Sequence, residues 1–246
     1  MLRLIGAQAL LFGRAVGSVR HQRPRARVIA QHLLSLGAGS APLIAIGLAF
    51  FGMVMVTMAW AQARKYTGNI TVVGPAYFEL IVREFAPLLT ALLAASRQAA
   101  AVSAELGAMS VNEQVEALEL SAADPVAELV LPRLVASTLA LPALTVLGAT
   151  SATLSAVFTV SVVFGADGWS FADPRFLDTS DVVCALVKGV AVGAYIPISA
   201  SLRGLRARGG AAAVGAAVTD GVVEASMGCL LIDFMVAAVF LALGLA

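Results

Sequence analysis

The chain has 246 residues, 60% of them hydrophobic, with 22 glycines beyond that count, against only 16 Lys plus Arg and 15 Asp plus Glu. Mean hydropathy is +0.92, which leaves too little polar surface to cover a water-exposed globule of this size. The chain therefore reads as an all-α polytopic membrane protein. Lys65 and Lys188 are the only lysines and neither follows a glycine, which excludes a phosphate-cradling P-loop and makes the chain no ATPase by itself. His21 and His32 lie apart from Cys184 and Cys229, so no spacing points to a metal site, and no disulfide is implied.

Leu2, Ile5, Ala9, Phe12, Val16 and Val19 recur at spacings of three and four, which places them on one face of a helix. Arg14, Arg20, Arg23, Arg25 and Arg27 follow, whereas a cleaved signal ends in small residues without dense positive charge. An amphipathic interfacial helix with a basic segment is expected over residues 1–35, a disordered basic leader being the alternative. Residues 43–61 form the first span and end at Gln62, Arg64 and Lys65. The next apolar stretch, about 77–104, is interrupted by Glu79, Arg83, Glu84 and Arg97, which must face protein or water because a charge in lipid costs a few kcal/mol.

Residues 105–133 are polar and carry Glu105, Glu113, Glu116, Glu119, Asp124 and Glu128. A third span over 134–164, with tilt or a kink near Pro142, leads to an acidic connection bearing Asp167, Asp173, Asp178 and Asp181. Residues 182–202 make a fourth span, Arg203, Arg206 and Arg208 with Gly209 and Gly210 a short basic loop, and 222–245 a fifth. Six arginines and no acid precede the first span, and three arginines precede the last. By the positive-inside rule both regions are cytoplasmic, as is 105–133, while the 167–181 loop and the C-terminus lie outside.

Ser110-Val111-Asn112-Glu113 fits a capping box and predicts a short helix starting at Ser110, with Val111, Val115 and Leu118 on one face. Asp124-Pro125 supplies a new cap with proline at the first helical position, so the pattern is helix, break, helix. The acids of this segment suit a protein partner with a basic groove better than an anionic lipid surface. Ala95, Ala99, Ser103 and Gly107 recur every four residues, and Gly189 and Gly193 repeat the same spacing; both patterns let helices approach closely, within one chain or between two.

The ordered series Arg83-Glu84-Phe85-Ala86-Pro87-Leu88-Leu89-Thr90-Ala91-Leu92-Leu93, Ala95-Ser96-Arg97, Ala104-Glu105-Leu106-Gly107-Ala108-Met109, Glu113-Gln114, Ala117-Leu118-Glu119, Asp124-Pro125 and Pro132-Arg133 resembles the MlaE/YrbE permeases. The resemblance continues through Leu141-Pro142-Ala143-Leu144-Thr145-Val146 and returns at Val214-Gly215, Thr219, Val222-Val223, Ser226 and Asp233-Phe234. Where members usually have two threonines near the last span, this chain has Val218 and Thr219, an exchange that preserves shape.

That family comprises the membrane subunits of ABC-type lipid transporters. The resemblance implies a single permease domain over 1–246, five transmembrane helices and an N-terminal amphipathic helix. It also implies a homodimer in the inner membrane, a separate cytoplasmic ATPase that binds ATP and Mg, an MCE-domain partner outside, and a phospholipid or related lipid as substrate. No cofactor is expected in this chain. The segment 105–133 is implied to be the coupling element that meets the ATPase, with Glu105, Glu113, Gln114, Glu116, Glu119 and Asp124 as candidate contacts.

Two readings stand for Arg83, Glu84 and Arg97: a charge network that holds helices together, or the lining of a cavity for a lipid headgroup. Adjacent opposite charges neutralise one another, which favours the first. Lys188 and Asp233 admit the same two readings. Phe50, Phe51, Met53, Val54 and Met55 of the first span would suit acyl chains, or plain contact with surrounding lipid. Two readings from other classes are an intramembrane lipid-modifying enzyme using Glu84, Glu105 or Asp233, which lacks any Ser/His, Cys/His or metal set beside those acids, and a non-transporting membrane scaffold.

Overall fold

In a bilayer every backbone N–H and C=O must find its partner within its own segment, so apolar runs of this length become helices. The computed structural model describes residues 2–18, 26–66, 70–172, 175 and 177–244, and among these there is no strand. The helices are α1 (Leu2–Ser18), α2 (Ala26–His32), α3 (Ala41–Tyr66), α4 (Ile70–Leu80), α5 (Ala86–Val111), α6 (Gln114–Leu120), α7 (Leu131–Val163), α8 (Thr179–Leu205) and α9 (Ala211–Ala242). Among the described residues, four helical stretches are long and apolar enough to cross a membrane: Ala26–Tyr66, Val126–Val163, Thr179–Leu205 and Ala211–Ala242. The second expected span, with its interrupting charges, is outside that set, yet α4, a π-helical turn and α5 run through it without a break.

Among the described residues there are three π-helical turns, Leu33–Gly37, Ile81–Phe85 and Val126–Val130. The last two end two residues ahead of Pro87 and Pro132. A proline removes its own N–H and presses its ring on the carbonyl four residues back, and a widened turn relieves both effects. The final helix starts at Ala211, eleven residues before the expected edge of the fifth span, because the run 211–217 is rich in alanine, the strongest helix former.

The chain divides into two compact units: Met1–Ser40, Ala91–Leu141 and Val190–Leu231 form the first, and Ala41–Thr90, Pro142–Gly189 and Ile232–Ala246 the second. In the first unit, Leu11 and Ala15 of α1 pack on Val130, Leu134, Ile198 and Leu202. The predicted apolar stripe is a different face: Ala9, Phe12 and Val16 are exposed, while Gln8, Leu11 and Ala15 are buried. Leu2, Ile5 and Val19 of that stripe lie outside the described side chains. A helix at a membrane edge has two partners, protein on one side and lipid on the other, and periodicity alone does not say which apolar face meets which.

The small residues of α5 pack within this chain. Ala95, Ala99 and Ser103 are buried, Ser103 Oγ donates to the Ala200 carbonyl at 3.1 Å, and a Cβ on Gly204 of α8 would lie 2.8 Å from Leu106 Cβ. Gly193 faces the α7 backbone in the same way, 2.9 Å from Thr138 Cα. In the second unit, a Cβ on Gly189 would lie 3.1 Å from Pro142 Cα, and Ser155 Oγ of α7 donates to the Ala49 carbonyl of α3 at 2.7 Å. Phe171 is fully buried against Gly74, and Trp60 stacks on Phe164 with centroids 4.7 Å apart. Asp173 of the acidic connection lies outside the described residues.

Candidate functional site

The π turn Ile81–Phe85 is the foundation of a charge cluster in the second unit. Because Pro87 has no N–H, the carbonyl of Arg83 lacks its usual helical donor, and Lys188 Nζ of α8 donates to it at 3.3 Å. Arg83 Nη1 pairs with Asp181 Oδ1 at 2.9 Å and its Nε lies 3.5 Å from Glu84 Oε1. Lys188 Nζ pairs with Glu84 Oε2 and, at 3.1 Å, with Asp233 Oδ1 of α9. The Lys188 side chain is 1% exposed and that of Arg83 10%, so both charges sit where only ion pairs make burial tolerable.

Asp181 is the member that sequence reasoning missed, having assigned it to an outer loop. It stands in the first turn of α8, where a carboxylate is favoured by the helix dipole, and its Oδ2 accepts from the Asp178 amide at 2.9 Å. Arg97 is not in the cluster. It belongs to the first unit, where Nη1 donates to the Ser35 carbonyl at 3.2 Å and to Ser40 Oγ at 3.0 Å, and its guanidinium fills the space beside Gly39. Arg97 thus ties the bend ahead of α3 to α5.

Beside the cluster, Glu79, Arg83 and Glu84 open on a cleft of about 530 Å³ walled by Phe234, Ala237 and Leu241. A second groove of about 350 Å³ in the same unit is lined by Phe78, Val82, Val146, Leu154, Val182 and Leu186 among others. Of the first-span candidates, Phe50 and Val54 are exposed, while Phe51, Met53 and Met55 are half-buried. Phe51 packs on Phe85 with centroids 5.1 Å apart.

The polar segment departs from the predicted capping box. Ser110 lies within α5, where its hydroxyl is shared between the carbonyls of Leu205 (3.2 Å) and Ala207 (3.1 Å), and Arg208 Nη1 donates to it at 3.1 Å. With the hydroxyl committed to the end of α8, α5 runs on to Val111. The break is made by Glu113 in the left-handed conformation (φ 58°), and α6 begins at Gln114 with no side-chain cap. Asp124-Pro125 behaves as the sequence predicts: Asp124 Oδ1 accepts from the Val126 amide at 3.0 Å, and Pro125 opens the next helix.

Glu105 pairs with the buried Arg133 at 2.7 Å, and Glu116 with Arg208 at 3.5 Å. Glu113, Gln114, Glu116 and Glu119 are exposed, as is Leu120. A further polar cluster in the first unit was not foreseen. Gln8 Nε2 of α1 donates to Glu224 Oε1, Arg203 Nε pairs with Glu224 Oε2, and Arg203 Nη1 pairs with Asp220 at 3.1 Å. Tyr195 Oη lies 3.4 Å from both Gln8 Nε2 and the Glu224 carbonyl.

A helical membrane chain with an ion-paired cluster on the π turn Ile81–Phe85, α8 and α9 and an acidic helical break after α5 has relatives of known family. The family model described as permease MlaE matches residues 29–239. The chain belongs to the MlaE permease family. This MlaE permease is 28% identical over 238 residues to a probable ABC transporter permease protein of Rickettsia felis, covering 96% of this chain and 92% of that one. It is 31% identical over 234 residues to a probable ABC transporter permease protein of Synechocystis, covering 94% and 88%. It is also 36% identical over 160 residues to the chloroplastic protein trigalactosyldiacylglycerol 1 of Arabidopsis thaliana, covering 64% and 46%. The permease is thus a multi-pass membrane subunit of a transporter.

Proposed function

We propose that this permease works as a homodimer in the inner membrane, moving phospholipid or a related lipid between the bilayer and an MCE-domain partner outside, powered by a separate cytoplasmic ATPase. The observation that carries the reading is the family match across residues 29–239. The absence of any P-loop in the chain supports a separate ATPase, and the name of the Arabidopsis relative, a galactolipid, supports a lipid as cargo. ATP and Mg belong to that partner; this chain needs no cofactor.

Glu105, Glu113, Gln114, Glu116, Glu119 and Asp124 are assigned to the face that meets the ATPase, on the cytoplasmic side with the N-terminal arginines. Nucleotide-driven closure would pull on α6, and α5 and α7 would carry the movement into the spans. Arg83, Glu84, Lys188 and Asp233 hold helices together beside the lipid path. Co-purification of the tagged chain in mild detergent, with mass spectrometry of bound proteins and bound lipids, tests the reading. An ATPase together with phospholipid is the expected result; neither, from a well-folded sample, overturns it.

A further inference from the structure

The N-terminal helix α1 has two competing partners. Gln8, Leu11 and Ala15 are buried in the first unit, while Leu10, Phe12 and Val16 are exposed, Leu10 by 71%. Apolar side chains presented in this way suit the acyl boundary of a bilayer, so lipid draws on one face of the helix while protein holds the other. The protein face is small: among the described side chains of α1, Leu11 and Ala15 are the only buried apolar ones. The polar contact of Gln8 with Glu224 of α9 therefore decides much of the balance between a docked and a released helix.

That contact begins a series that ends at the acidic break. Glu224 holds Gln8 with one carboxylate oxygen and Arg203 of α8 with the other. Arg203 stands in the last turn of α8, and the chain just beyond it is gripped by the end of α5. Ser110 Oγ is shared between the carbonyls of Leu205 and Ala207 and accepts from Arg208 Nη1 at 3.1 Å. Arg208 in turn reaches Glu116 of α6 at 3.5 Å. There is little slack along this path: a Cβ on Gly204 would lie 2.8 Å from Leu106 Cβ, and one on Gly221 2.3 Å from Ser103 Oγ. Helices packed this closely pass on a displacement rather than absorb it.

We infer that α1 is a strap with a docked and a released position, and that the Gln8–Glu224–Arg203 latch ties its docking to the order of the α5–α6 break through the end of α8, Ser110 and Arg208. Docked, α1 fixes Glu224 and Arg203 and so keeps residues 205–208 where Ser110 and Glu116 meet them. Released onto the membrane surface, it lets Arg203 turn toward exposed Asp220 and loosens that grip. The inference goes beyond the proposed function and rests on it only for the role of the acidic segment in meeting the ATPase. It gives the bilayer, acting on the apolar face of α1, a means of adjusting that segment.

Amide hydrogen exchange of the full-length permease in nanodiscs tests the link without the ATPase, so its failure is distinct from failure of the transport reading. Glu224 and Asp220 already outnumber Arg203 in the latch; Gln8→Glu adds a third carboxylate and drives α1 off, whereas Gln8→Lys balances the charge and keeps it docked. Gln8→Glu is expected to speed exchange about tenfold or more in residues 6–18 and also in residues 108–121, with α7 unchanged. Gln8→Lys leaves both segments within about twofold of wild type. Gln8→Ala removes the amide without adding charge, moves both segments in the same direction as Gln8→Glu, and carries the test if the charged variant does not fold. Arg208→Gln speeds residues 108–121 alone, and adding Gln8→Glu to it produces no further acceleration there. Faster exchange in α1 with residues 108–121 at the wild-type rate overturns the coupling, and an unchanged α1 in both Gln8→Glu and Gln8→Ala overturns the latch. Independent, multiplying effects of Gln8→Glu and Arg208→Gln on residues 108–121 overturn the route through Arg208.

Discussion

Lys188 Nζ lies 3.1 Å from Asp233 Oδ1 and shares its remaining donors with Glu84 and the Arg83 carbonyl, so one buried ammonium joins α8 to α9 and to the π turn after α4. Removing one member of a buried ion pair leaves the other charge without a partner, a loss of about 3–5 kcal/mol. Lys188→Met is expected to destabilise by about 3 kcal/mol, read as a lowered midpoint in thermal unfolding of the detergent-solubilised protein. Lys188→Met with Asp233→Leu recovers part of that loss, since Arg83 still serves Glu84. Equal losses in the single and double variants would show that Asp233 is not the orphaned charge.

The close approach of α3 to α7 depends on Gly52. A Cβ there would collide with the Ala152 carbonyl oxygen and Ser155 Oγ, the hydroxyl that binds Ala49. Gly52→Ala is expected to cost about 2 kcal/mol, because backbone on both sides must move. Gly215→Ala in α9 is the control: nothing lies within 4 Å of its Cβ position, and a helical alanine gains up to about 1 kcal/mol over glycine. Opposite signs of the two changes in unfolding midpoint check the assignment of helix contact.

Much of this architecture was legible in linear order because spans are long and apolar, and because Arg83, Glu84, Lys188 and Asp233 stand out against them. Asp181 was not, since its partner Arg83 is 98 residues away in sequence and an aspartate before an apolar run reads as a loop residue. The π turns escaped a reading based on a period of 3.6 residues, although Pro87 and Pro132 mark two of them. Ser110-x-x-Glu113 matched a capping box by spacing, yet tertiary carbonyls at Leu205 and Ala207 claimed the hydroxyl. Gln8 showed no signal at all: an amide in a weakly polar helix face gains meaning only once Glu224 is beside it.

That Gln8–Glu224 contact predicts the behaviour of the N-terminal helix. The Gln8 amide binds a carboxylate held by Arg203, and hydrogen bonds to charged groups contribute about 1.5–3 kcal/mol. Gln8→Ala is expected to speed amide hydrogen exchange in residues 6–18 about tenfold while leaving α3 unchanged. Arg203 keeps Glu224 and, at 3.1 Å, Asp220 as partners, so the substitution loosens α1 without unpairing this half-buried cation. Unchanged exchange in α1 would mean that Leu11 and Ala15 alone hold it.

Glu113 separates two ways in which the break between α5 and α6 can serve coupling. Its φ of 58° places a β-carbon residue in the left-handed region, at a cost of roughly 1–2 kcal/mol that glycine avoids. If the break matters through its backbone, Glu113→Gly keeps the turn and relieves strain, whereas β-branched Glu113→Val opposes it. On the proposed function, in which the permease is assembled with a separate ATPase, Glu113→Gly is therefore expected to retain near wild-type transport-coupled ATP hydrolysis and Glu113→Val to lose most of it. Glu116→Arg, which reverses an exposed charge near Arg208, lowers hydrolysis by weakening the docked face while leaving the turn intact. A Glu113→Gly variant as impaired as Glu113→Val would move the role of Glu113 from its backbone to its carboxylate.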